Sequence, residues 1–84
     1  MYWVYVLEAS DSGWYIGFTS NLKRRITEHN SGKGARTTKR KDDWKVIYCE
    51  GYTNKADAMG RERFLKSGAG RGFLKKQLSH YLEK

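Results

Sequence analysis

The chain opens on an unbroken apolar and aromatic run, Tyr2-Trp3-Val4-Tyr5-Val6-Leu7, with no polar alternation. A strand with one wet face alternates, so this run predicts a β-strand covered on both faces. Asp11-Ser12-Gly13 is a turn signal, and Trp14 to Thr19 reads as a second strand, which makes an antiparallel hairpin. Gly17 inside that strand marks a bend or a close backbone approach. Thr19, Ser20 and Asn21 are each competent N-caps for a helix carrying Leu22 and Ile26, which runs from Asn21 to Asn30 and ends before Gly32 and Gly34. Residues 33–41 form a loop, and Trp44 to Tyr52 a third strand. Thr53 or Asn54 caps a helix reaching Lys66, and Ser67-Gly68-Ala69-Gly70 breaks it. A last amphipathic helix carries Leu74, Leu78 and Tyr81 on one stripe. The order is β-β-α-β-α-α. The expected class is α/β, more narrowly α+β: a three-stranded, mainly antiparallel sheet with helices packed on it, in one domain over residues 1–84.

Composition narrows the partners. The 84 residues are 38% hydrophobic, so the core is small, and 14% aromatics offset part of that shortage. No apolar run approaches the length of a membrane span, and no signal peptide opens the chain. The single cysteine, Cys49, shows no metal-ligand spacing with His29 or His80. A cytoplasmic, monomeric protein without a membrane partner or a small-molecule cofactor is the expectation. Lys and Arg number 17 against 9 Asp and Glu, a formal charge of +8 that points to a polyanion. Residues 1–20 carry −2, residues 21–48 carry +6 and residues 49–84 carry +4, so the electropositive surface begins after the hairpin.

Several side chains could do chemistry. Glu62 shares a helix face with Ala58 and Leu65, which places a carboxylate on the stripe expected to meet the core. It is either a core-edge acid paired with an arginine or an oxygen ligand for a divalent metal such as magnesium or manganese. Arg25 and His29, at i and i+4, share a face of the first helix, with His29 at the edge of its apolar stripe. Arginine suits phosphate and histidine moves protons near neutrality, although a solvated basic face explains the pair equally well. Tyr5 and Tyr15 sit on the two strands of the hairpin, and buried hydroxyls need partners. Lys23, Arg24, Lys33, Arg36, Lys39, Arg40, Lys41 and Arg71 are candidate nucleic-acid contacts, and they would set affinity and salt dependence without reading sequence.

Trp3-Val4-Tyr5 followed by Tyr15-Ile16-Gly17 resembles the paired triplets of the GIY-YIG endonucleases. Asn21 to Asn30, with Arg25 and His29, is similar to the helix that follows those triplets in the family. Ala58-Met59-Gly60-Arg61-Glu62-Arg63 matches the place of the metal-holding glutamate. The resemblance runs from Tyr2 to about Leu78 and is strongest to the short, stand-alone bacterial members. It implies a metal-dependent DNA endonuclease, structure-selective and acting in repair or recombination, with one Mg²⁺ or Mn²⁺ held by Glu62. Arg25 would stabilise the transition state, and Tyr5, Tyr15 or His29 would orient or deprotonate water. Two departures stand out. Trp3 replaces the first glycine, and no Asn follows Asn54, where many members carry one after the glutamate. Ser67, Arg71 and Gln77 are the substitutes at hand. That gap keeps a second reading open, a basic DNA- or RNA-binding module with little turnover.

Overall fold

The computed structural model describes residues 1–31 and 44–83. Strands β1 (Tyr2–Glu8), β2 (Trp14–Thr19) and β3 (Lys45–Tyr52) form one antiparallel sheet in the order β2-β1-β3. The opening run is therefore the central strand, as its lack of alternation predicts. Odd and even residues of β1 build two cores. Val4 and Val6 pack with Ile16, Ala58, Leu65 and Leu74 on one face. Tyr5 and Leu7 pack with Ala9 and Trp44 on the other, beside Tyr15, Leu22, Ile26 and Val46. Val6 opposes Tyr48 while Leu7 opposes Val46, so Ile47 is the extra residue of a bulge.

The hairpin turn is closed by Ala9 N donating to Gly13 O and Gly13 N donating to Asp11 Oδ1, each at 2.9 Å. Ser12 in this turn adopts a left-handed backbone, at φ 69°.

Among the three candidate caps, Asn21 caps helix α1 (Leu22–Asn30) by accepting from Arg24 N. Thr19 Oγ1 accepts from Asn21 N and so holds the capping residue in place. Asn54 caps α2 (Lys55–Leu65) in the same way, accepting from Ala56 N and Asp57 N. At the far end of α1, Asn30 grips Trp44 twice: its Oδ1 accepts from Trp44 N at 2.7 Å and its Nδ2 donates to Trp44 O at 3.0 Å. This clasp joins the two ends of the basic segment.

Helix α2 ends before Ser67, as the sequence 67–70 predicts, and the next helix starts at once: Ser67 caps α3 (Gly68–Gln77), whose first turn contains the glycines. Gly70 is there for clearance, since a Cβ would strike Phe64 O and lie 2.5 Å from Leu65 Cα. One expectation needs correction: the last helix is not continuous. It stops at Leu78, and a short helix α4 (Ser79–Leu82) follows.

Candidate active site

The Tyr5 hydroxyl gathers the site. The ring is 1% exposed and its phenol crosses β2 at Gly17, where a Cβ would sit 2.5 Å from Tyr5 Cζ and 3.0 Å from a Tyr15 ring carbon. The glycine in strand two is therefore a close approach, and the reason is the Tyr5 ring. Tyr5 Oη lies 3.0 Å from His29 Nε2. His29 was expected at the edge of an apolar stripe, yet it is fully buried, because the Tyr5, Tyr15 and Trp44 rings enclose it. Its ring centroid is 4.8 Å from that of Tyr15 and 6.5 Å from that of Trp44.

Charge sets the protonation states. Burial pushes the Tyr5 phenol up to about 12, against the pull of the adjacent Arg25 guanidinium; Tyr15 and Glu62 add smaller upward pushes. Burial, then the Arg25 charge, hold His29 below its ordinary value. The histidine is neutral at pH 7 and the phenol is protonated. With the imidazole proton on Nδ1, Tyr5 donates to Nε2. Arg25 is also 3.1 Å from Glu28 Oε1. Burial works against its charge, but hydrogen bonding to Glu28 and Tyr5 outweighs that and leaves its pKa above the ordinary value.

Glu62 stands on α2, which packs on β1 and β2, and it acts on the Tyr5 phenol through its charge. Its side chain is 21% exposed, and Oε2 pairs with Lys66 Nζ at 3.0 Å. The expected arginine partner is thus a lysine one turn on, more than half exposed. Four of the five proposed catalytic side chains, Tyr5, Tyr15, Arg25 and His29, meet at one phenol, and Glu62 stands within electrostatic reach of it.

The remaining candidates divide by place. Lys23 and Arg24 are exposed on α1, outside the enclosed group. Lys33, Arg36, Lys39, Arg40 and Lys41 lie outside the described residues. Arg71 lines a cavity by the hairpin end, away from Tyr5. Of the substitutes for the absent Asn, Ser67 is spent on capping and Gln77 is exposed at the end of α3. Trp44 belongs to the site's wall and was read from sequence only as the start of a strand; its one signal was a tryptophan flanked by charged residues.

The topology, holding two tyrosines, an arginine and a histidine against one strand pair, defines a small α+β domain with a polar cluster on one face of its sheet. The GIY-YIG catalytic domain matches residues 1–76, and the chain belongs to that family. It is 45% identical over 64 residues to a UPF0213 protein of Streptococcus pneumoniae serotype 4, covering 76% of this chain and 65% of that one. UPF0213 protein YazA of Bacillus subtilis is 39% identical over 62 residues, covering 74% of this chain and 63% of that one. The chain thus spans about two thirds of the length of these relatives. Among solved structures, the solution structure of UPF0213 protein BH0048 from Bacillus halodurans superposes with a TM-score of 0.56 at 34% identity, covering 92% of this chain and 85% of that one. That of protein EF2693 from E. faecalis gives 0.57 at 31%, covering 99% and 88%. Among the described residues no helix is long and apolar enough to cross a membrane.

Proposed function

We propose that the protein is a metal-dependent endonuclease that hydrolyses DNA phosphodiester bonds. The observation that carries this reading is the convergence of Tyr15, Arg25 and His29 on the buried Tyr5 hydroxyl, with the Glu62 carboxylate near enough to perturb it. Among the described residues no three His, Cys, Asp or Glu side chains cluster, so these residues do not build a closed metal cage. A single carboxylate does suit Mg²⁺ or Mn²⁺, which keep several waters and complete their shell with substrate phosphate. The Lys66 ammonium beside Glu62 is mostly exposed and free to swing away when a cation arrives. Bound there, the cation would neutralise charge on the leaving 3′ oxygen.

The chain's own groups divide the rest of the work. Arg25 faces the equatorial oxygens of the phosphorus centre, where its charge is worth most in the transition state. Tyr15 holds the attacking water. Neither Tyr5 nor His29 acts alone as base. The phenol at about 12 gives up its proton with difficulty, and the histidine, as deeply buried as the phenol, is hydrogen-bonded to it. Together they accept one proton: water gives its proton to Tyr5 Oη as the phenol passes its own to His29 Nε2.

Incubation with nicked, flapped and branched DNA, with Mg²⁺, with Mn²⁺ and with chelator, tests the reading. Cutting is expected only with metal, and cutting that survives Glu62→Ala would sink it. One observation favours a second reading. The Glu62–Lys66 ion pair is the bland partnership expected of a structural acid, and it suits a module that binds DNA or RNA without turnover. Tight, salt-sensitive binding with no cleavage of any substrate would select that alternative.

A further inference from the structure

On the Val4–Val6 side of the sheet, the hairpin end and the C-terminal helices enclose a cavity of about 610 Å³. It is lined by Trp14 and Leu82, by Glu8, by Arg71 and Lys75 of α3 and by the Ser12–Gly13 turn. None of these groups belongs to the tyrosine site.

Three features set it apart from a surface hollow. First, the aromatic wall is held rigidly. The Trp14 indole donates to Glu8 Oε2 at 3.0 Å, Tyr81 donates to the other oxygen of the same carboxylate, and Glu8 is only 8% exposed. A buried acid fixes one aromatic wall and ties α4 beside it, which is preorganisation of the kind binding sites use. Second, Arg71 and Lys75 lie one helical turn apart on α3, both exposed, and no ion pair among the described residues involves either. Third, Leu82 is 41% exposed, an apolar surface left at the cavity edge.

The pieces suit different parts of one ligand. An arginine and a lysine a turn apart take a phosphate, and the face of an indole takes a flat ring. A bare phosphate would leave Trp14 and Leu82 without a role, and a plain aromatic would leave the two cations without one. A volume of 610 Å³ accommodates a single nucleotide. We propose that this cavity is a second nucleic-acid subsite that receives one unstacked nucleotide, its base against Trp14 and Leu82 and its phosphate on Arg71 and Lys75. This rests on the reading that the protein acts on nucleic acid.

The position in the fold gives the subsite a purpose. Trp14 and Tyr15 are neighbours on β2 and face opposite sides of the sheet, Trp14 toward the Val4 core and Tyr15 toward the Tyr5 core. A strand wrapped around the hairpin end sets a phosphodiester at Tyr15 and an unpaired base at Trp14. Substrates with a flap, a nick or a branch offer such a base, and intact duplex does not.

The test is an NMR titration of the ¹⁵N-labelled wild-type chain, following the Trp14 indole N–H, with the resonance assigned by Trp14→Phe. Deoxyadenosine monophosphate is the ligand, with inorganic phosphate and deoxyadenosine as separate arms. A saturable shift of the indole with the nucleotide, larger than either part gives alone, is expected. Arg71→Ala and Lys75→Ala should each weaken binding about tenfold, the size of one lost charge-assisted contact. A Trp14 resonance that stays still, or mutants that bind like wild type, would overturn the proposal. So would phosphate alone reproducing the shift and affinity, which would make this a bare anion site. Because binding is the readout, loss of the nuclease reading and loss of this one are separate results.

Discussion

The same three-stranded sheet carries two tyrosine pairs, each with an arginine, one on either face. On the β3 side Tyr48 and Tyr52 donate to the two oxygens of Glu50 at 2.5 and 2.7 Å, and Arg61 donates to both oxygens at 2.9 and 3.1 Å. The guanidinium also lies over Phe73 and Phe64, 4.5 and 5.0 Å from their ring centroids. Both phenols and the guanidinium find an acceptor in one carboxylate, and that acid is saturated. Burial works against the Glu50 charge, and the bonds from Arg61 and the phenols overcome it, leaving its pKa below the ordinary value. Burial and the Glu50 carboxylate push Tyr48 up to about 12. On the other face Tyr5 meets a neutral imidazole, and the only acid near the phenol in the proposed machinery, Glu62, stands off on another helix with an exposed lysine. The first cluster is closed and fastens β3 to α2. The second pairs its arginine and its carboxylate with partly exposed neighbours, Glu28 and Lys66, that an incoming phosphate and cation can displace.

The largest effect should separate the two carboxylates. Glu62→Gln keeps the shape of the side chain and removes its charge, so metal-dependent cleavage should fall by roughly 10²–10³-fold with the melting temperature nearly unchanged. Glu50→Ala should do the reverse. It strips Arg61 and two phenols of their shared acceptor, and the cost should be about 2–3 kcal/mol, since each group loses a charge-assisted bond in a partly buried place. For a domain of this size that is a fall of roughly 10 °C or more in Tm. Cleavage per folded molecule should survive. Thermal melts and cleavage rates on both variants decide it: a stable Glu50→Ala protein, or a Glu62→Gln protein that cuts normally, breaks the contrast.

Next in size is Gly17, the point where the open cluster leans on the sheet. A methyl group there collides with the Tyr5 phenol, so Gly17→Ala should cost about 1–3 kcal/mol and displace the hydroxyl from His29. Gly60, in the middle of α2, is the internal control, because a Cβ there meets nothing within 4 Å. Gly60→Ala should stabilise the protein by about 0.5–1 kcal/mol through helix propensity. If both substitutions proved harmless, the close packing of Tyr5 over strand β2 would be wrong.

How legible was all this in the chain? The central strand was, because Tyr2 to Leu7 lacks the alternation of a half-wet strand. The Arg25–His29 pair was, because i and i+4 fix a shared face whatever the tertiary structure. The depth of His29 was not. Position on a helix wheel says which way a side chain points, and only the opposing strand, with Tyr5 and Tyr15, says whether it is sealed there. The Glu50 cluster was hidden for a related reason. Glu50 lies between apolar strand residues like any solvent-facing acid, and its arginine is eleven residues away on another element. The glycines at 68–70 marked the end of a helix correctly, but composition does not show that Gly70 also lets two helices touch. The basic residues of 33–41 were legible only as charge, and charge names a class of partner without placing it.

The smallest effect sharpens the comparison through protons. His29 is buried and neutral, its pKa held below the ordinary 6.5 by burial first and by Arg25 second. In the unfolded chain it titrates near 6.5, so below that pH the unfolded state binds a proton the native state does not. Stability therefore falls as pH drops through 6.5 and stops falling from this source once the native histidine is itself protonated. Glu50 has the opposite window. Its stabilisation is full above 4.5 and is lost only as pH falls below that value. Melting temperatures from pH 7.5 to 4 should thus show two separate declines, the upper from the open cluster and the lower from the closed one. His29→Gln should flatten the upper decline and leave the lower in place. An upper decline that persists in His29→Gln would mean that the imidazole is not the neutral, sealed partner of Tyr5, and the proton relay through it would fall with that.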